Sequence, residues 1–81
     1  MGSGQDALGA LGEVALARVL IRQRRYAEAD SLYRHALDVL RRLTTDDHPE
    51  VRRIAGLMAD LYVEWEKPAE AERYRRLARG P

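Results

Sequence analysis

Tyr26-Ala27-Glu28-Ala29-Asp30 returns as Pro68-Ala69-Glu70-Ala71-Glu72, and this pair of segments decides the fold. Sliding the chain so that Ala27 meets Ala69, an offset of 42 residues, also lays Ala17 on Ala59, Val19 on Leu61, Leu20 on Tyr62 and Ala36 on Ala78. Small residues returning at matching places mean that one packing unit is present twice. Outward from Tyr26, the residues Tyr26, Ala29, Tyr33, Ala36, Leu37, Leu40 and Leu43 recur at the spacing of one helix face. Upstream, Leu8, Leu11, Ala15, Val19 and Leu20, with Leu16 beside them, form another stripe, and Arg24-Arg25 separates the two. Downstream, Thr44-Thr45-Asp46-Asp47-His48-Pro49 is turn chemistry. Asp47 or His48 suits the N-cap, Pro49 the first helical position and Glu50 the positive end of the helix dipole. A third stripe follows in Val51, Ile54, Ala55, Met58, Leu61, Tyr62 and Trp65. Pro68 opens a fourth, carrying Ala71, Tyr74, Leu77 and Ala78. No segment alternates with period two for long enough to make a strand.

The expectation is an all-α chain of four helices in two antiparallel helix-turn-helix repeats. Repeat 1 covers 6–46, with helices at about 6–23 and 26–43. Repeat 2 covers 47–81, with helices at about 49–65 and 68–78. Residues 1–5, with Met1-Gly2-Ser3-Gly4, read as an expression leader or a disordered start. Ala17, Ala29, Ala36, Ala59, Ala71 and Ala78 sit on inward stripes, where a small side chain lets two helix axes approach. Ala27 and Ala69 read instead as surface helix formers.

Composition excludes more than it names. Eighty-one residues allow one core, and the absence of cysteine removes disulfides and thiolate metal sites. A net charge of +1 is too balanced to claim nucleic acid or membrane by charge alone. No apolar run approaches the roughly 18 residues of a membrane span. A cytoplasmic domain is expected. Thirteen arginines against one lysine suit a natural high-GC gene.

Catalytic chemistry finds no footing. Asp46, Asp47 and His48 are adjacent, yet a metal site needs three or four converging ligands. His35 has no nucleophile at helical spacing, and neither Ser3 nor Ser31 sits in a nucleophile elbow. Gly9, Gly12 and Gly56 lack phosphate-loop spacing. No catalytic, metal-binding or cofactor-binding residue is expected, no cofactor, and no enzyme. The arginine clusters have acids four residues ahead of them: Asp30 before Arg34, Asp38 before Arg42, Glu72 before Arg76. That spacing predicts a salt-linked, solvated surface rather than a nucleic-acid face.

The run Tyr26, Ala29, Tyr33, Ala36 and Leu37, with Leu16, Ala17 and Leu20 ahead of it, resembles the tetratricopeptide repeat signature. The second copy keeps Met58, Ala59, Tyr62, Ala71 and Ala78, while Pro68 and Arg75 stand where the aromatics Tyr26 and Tyr33 stood. The offset of 42 and the Asp47-His48-Pro49-Glu50-Val51 segment are similar to the longer, kinesin-light-chain variety. Leu61-Tyr62-Val63-Glu64-Trp65-Glu66-Lys67-Pro68-Ala69-Glu70-Ala71 resembles the C-terminal repeat tail of bacterial serine/threonine protein kinases.

The repeat resemblance implies a groove lined by the first helix of each pair. Here Arg18 and Arg22 would face Arg53, Asp60, Val63 and Glu64, with the opposite charges pairing across it. The chain has no asparagine, so the asparagine-based clamp of carboxylate-binding relatives is missing. The first helix carries more apolar circumference than one neighbour needs, which marks Leu8, Leu11, Val14, Ala15, Val19 and Ile21 as a partner or homodimer face. The function expected is a protein-interaction module that self-associates through its first helix, cut from a larger bacterial signalling or scaffold protein. The alternatives are a regulatory kinase tail with no binding function of its own, and nucleic-acid binding through the arginines.

Overall fold

A computed structural model of the chain describes residues 3–80, with side chains from residue 9 onward. Four helices follow one another: α1 (Ser3–Arg22), α2 (Tyr26–Leu43), α3 (Pro49–Glu64) and α4 (Pro68–Arg79). No strand occurs among the described residues. The first helix starts at Ser3, ahead of the expected residue 6, so Ser3, Gly4 and Gln5 of the supposed leader are helical. Met1 and Gly2 lie outside the described residues.

The two hairpin turns are copies of one another. Arg24 (φ 60°) and Glu66 (φ 62°) both adopt the left-handed conformation, 42 residues apart. In the first turn Arg25 N donates to Leu20 O at 2.9 Å and Arg24 N to Ile21 O at 2.9 Å. The second turn repeats both bonds, Lys67 N to Tyr62 O at 2.8 Å and Glu66 N to Val63 O at 3.1 Å. This is the Schellman pattern, which satisfies the last carbonyls of a helix and reverses the chain.

The turn between repeats uses its polar residues structurally. His48 Nδ1 accepts from Glu50 N at 3.1 Å and caps α3, with Pro49 in its first turn. Asp46 pairs with Arg41 at 2.8 Å and Asp47 with Arg52 at 3.3 Å. The Thr44 hydroxyl donates to Leu40 O at 2.6 Å.

Each hairpin packs on itself, and α2 also packs on α3. Ala17, Ala29 and Ala36 are fully enclosed, and Tyr33, Ile54, Met58, Leu61 and Tyr62 fill the space around such small residues. Ala27 and Ala69 are exposed. The inward stripe of α1 differs from the expected one: Ala10, Val14, Ala17 and Leu20 are buried, while Leu11, Leu16 and Val19 are exposed. The crossing with α2 admits small side chains at its centre, so the set containing Ala10 and Ala17 turns inward and the bulkier set faces out.

Among the described residues, side-chain bonds between α2 and α3 come from one group. Tyr62 donates its hydroxyl to Asp30 Oδ1, and Arg34 Nη2 donates to the Tyr62 oxygen at 3.1 Å. Aromatic rings continue the contact: Tyr62 stacks on Tyr74 with centroids 5.4 Å apart, and Trp65 lies 6.1 Å from both Tyr62 and Tyr26.

Candidate functional site

Two surfaces gather the residues singled out from the sequence. The first is a groove between α1 and α3. Arg18, Ile21 and Arg22 form one wall, Leu57, Asp60, Leu61 and Glu64 the other, and Tyr33 of α2 the floor. The cavity holds about 170 Å³. The structure thus brings Arg18, Arg22, Asp60 and Glu64 together across a narrow space. Val63 stays outside the groove, 54% exposed. Arg53 does not line the cavity and is tied to Glu50 at 3.2 Å.

The expected cross-groove pairing does not occur. Among the described residues none of Arg18, Arg22, Asp60 and Glu64 enters an ion pair, although arginines elsewhere do so freely. The structure also adds a polar group to the groove. Tyr33 is 1% exposed and makes no side-chain hydrogen bond among the described residues, yet its ring forms the cavity floor. Burial pushes its phenol upward, Arg18 draws it down, Asp60 raises it and Arg53 lowers it. From the sequence Tyr33 reads as a core filler; the signal it offered was a tyrosine on a stripe that a purely apolar ring would have satisfied.

The second surface is the outer side of α1. Of the expected partner face, Leu11, Ala15 and Val19 are exposed, and the Leu8 side chain lies outside the described residues. Val14 does not belong to it: at 3% exposure it is part of the intrachain core, because it points at α2. Ile21 is half-buried and lines the groove instead. Leu16, 50% exposed, joins the face.

Comparing the repeats explains this surface. Gly9, Gly12, Leu16 and Val19 are equivalent to Val51, Ile54, Met58 and Leu61. On α3 these four are buried, and α3 packs against α2 of the first repeat as well as against α4. The side of α3 turned to α4 is a different one, with Gly56 facing Ala78 and Tyr62 stacked on Tyr74. On α1 the matching inter-repeat surface faces open space. A Cβ added at Gly9 or Gly12 would touch nothing within 4 Å, so the described fold has no packing need for either glycine.

The three acid–arginine spacings form as pairs: Asp30–Arg34 at 3.1 Å, Asp38–Arg42 at 2.6 Å and Glu72–Arg76 at 3.5 Å. His35 bonds to Glu13 of α1 at 2.6 Å, tying the first hairpin together. Among the described residues no three histidines or acids converge as a metal site would require, and no helix is long and apolar enough to cross a membrane.

Comparison with curated proteins and with solved structures finds no match. A family model described as tetratricopeptide repeat matches residues 7–79, which takes in both hairpins. With its duplicated helical hairpins and this match over nearly its whole length, the chain belongs to the tetratricopeptide repeat family.

Proposed function

We propose that the chain is a non-catalytic interaction module that self-associates through α1. Tetratricopeptide repeats generally mediate protein–protein interaction, and the family is generally non-catalytic. The observation carrying the finer reading is the exposure of Leu16 (50%) and Val19 (45%), against 0% and 1% for their equivalents Met58 and Leu61. That surface is the one by which a repeat buries itself against a neighbour.

The pattern suits a second copy. When α1 lies antiparallel to another α1 with Leu16 over Gly12, Val19 falls over Gly9, because the two pairs share one centre. Each branched side chain then meets a glycine that the described fold does not otherwise require. Stacking head to tail is disfavoured, since the α4 positions equivalent to Tyr26, Asp30, Tyr33 and Arg34 are Pro68, Glu72, Arg75 and Arg76. There Glu72 is already shared by Arg75, Arg76 and Arg79 at 3.5–3.7 Å. A charged end of that kind makes a cap, and an apolar end meeting its own copy gives a closed pair rather than a fibre.

Light scattering over about a hundredfold range of concentration tests this. The wild type should approach twice the chain mass, and Leu16→Glu with Val19→Glu should give a folded monomer. A wild-type monomer throughout, or an unchanged dimer in the double variant, overturns it. Bacterial provenance as the tail of a kinase-like signalling protein, and a cytoplasmic location, complete the proposal. They rest on the Leu61–Ala71 resemblance and the arginine usage.

A further inference from the structure

We infer that the cavity between the first half of α1 and the second half of α2 binds a guanidinium group, the arginine side chain of a partner protein, with Glu13 as its acceptor. This cavity holds about 520 Å³ and shares no residue with the groove between α1 and α3. The two repeats differ at this place. Gly9 and Ala10, which line the cavity, are equivalent to Val51 and Arg52. In the second repeat those two side chains fill the corresponding space. Val51 is fully buried, and the Arg52 guanidinium lies so close to Gly80 that a Cβ there would fall 2.5 Å from Nη2. The Arg52 side chain thus reaches from α3 to the end of α4, with its Nε shut away from solvent. In the first repeat the glycine and the alanine leave the space open, and a Cβ on Gly9 would meet nothing within 4 Å. The first hairpin therefore keeps vacant a place whose duplicate holds an arginine.

The lining selects the same group from outside. Gly9, Ala10, Val39 and Leu43 offer an apolar surface to the aliphatic stem of an arginine. Glu13 supplies the charge. Its side chain is only 27% exposed, and its one bonding partner among the described residues is the His35 ring, at 2.6 and 2.8 Å from its two oxygens. A carboxylate oxygen carries two lone pairs, so both can accept again from the parallel N–H groups of a guanidinium. Arg42, the other charged group of the lining, is already held by Asp38 at 2.6 Å and offers little to an anion. Repeat 2 has Ala55 at the place of Glu13, and its built-in arginine bonds to Asp47 at 3.3 Å instead. The carboxylate on this wall is thus a feature of the repeat whose arginine is missing.

The probe is arginine blocked at both ends, as the N-acetyl methylamide, titrated into the isotope-labelled chain at constant chloride and followed by NMR. Blocked lysine and blocked glutamate are the controls. Saturable shifts should gather at Gly9, Ala10 and the His35 ring, with a Kd below about 10 mM. Lysine should bind at least about threefold more weakly, because its ammonium does not match both carboxylate oxygens at once. Glutamate should move nothing. Glu13→Gln should weaken arginine binding at least about fivefold, the loss of a charge-assisted pair. Gly9→Val with Ala10→Arg transplants the pair of the second repeat. That variant should fold at least as stably as the wild type and should no longer bind the blocked arginine. Val19→Ala should bind it as the wild type does, so a failure of self-association leaves this inference standing. No shifts up to about 50 mM, equal shifts from lysine or glutamate, undiminished binding in Glu13→Gln, or a Gly9→Val, Ala10→Arg variant that unfolds or still binds would each overturn it.

Discussion

The phenol of Tyr62 on α3 donates to the carboxylate of Asp30 on α2, and Arg34 closes the group by bonding to both. Asp30 and Arg34 are one helical turn apart, and their equivalents are Glu72 and Arg76 on α4. In the first copy the pair receives a tyrosine from the next helix. In the second it receives only arginines of its own helix. The same two-residue device therefore works as a clasp inside the chain and as a solvated cap at its end.

Removing the Tyr62 hydroxyl should destabilise the fold by about 1.5–3 kcal/mol, the range for a hydrogen bond to a charged partner. Tyr62→Phe keeps the stacking on Tyr74 and Trp65, so the loss should be smaller than for Tyr62→Ala. Urea unfolding followed by the fluorescence of Trp65, the single tryptophan, measures both. Equal stability of Tyr62→Phe and wild type would count against the clasp.

Alkali should unfold the protein earlier than its arginine-rich surface suggests. Burial, then the bond to Asp30, pushes the Tyr62 phenol up to about 12. The folded state therefore holds this proton more tightly than the unfolded chain does. That contribution is fully present below about pH 10 and is lost as pH climbs towards 12, amounting to roughly 2–3 kcal/mol. Tyr33, raised by burial, acts in the same direction. Chemical denaturation at several alkaline pH values should show stability falling in this window, with a shallower slope in Tyr62→Phe.

Arg24→Gly and Glu66→Gly should each stabilise the chain by about 0.5–1 kcal/mol. Both positions have φ near 60°, where an L side chain is strained and glycine is not. The turns sit in separate hairpins, so the gains should add. Thermal melts of the two single variants and the double variant check this.

Two valines of α1 should behave oppositely. Val14→Ala removes buried volume at a 3% exposed site and should cost about 2 kcal/mol of stability. Val19→Ala, at a 45% exposed site, should leave the stability of the monomeric chain within about 0.5 kcal/mol while weakening self-association. Combining denaturation at low concentration with light scattering at high concentration separates the two effects.

How far the sequence could be read depends on which question is asked of each residue. The duplicated Tyr26–Asp30 and Pro68–Glu72 segments, the crossing alanines and the His48-Pro49 start signal all express local geometry. A helix repeats every 3.6 residues whatever surrounds it, and these features follow from that. The four helices and their two hairpins were legible for this reason. The acid placed four residues before an arginine was also legible.

The tertiary structure decided the rest. Helix α1 is apolar on two sides, and only its neighbour α2 selects Ala10, Val14 and Ala17 over Leu11, Leu16 and Val19. Whether Arg18 meets Asp60 depends on how α1 and α3 are placed relative to one another across the groove. Periodicity belongs to a single segment, whereas the choice of face, the pairing of charges and the satisfaction of a buried polar group belong to the contact between segments.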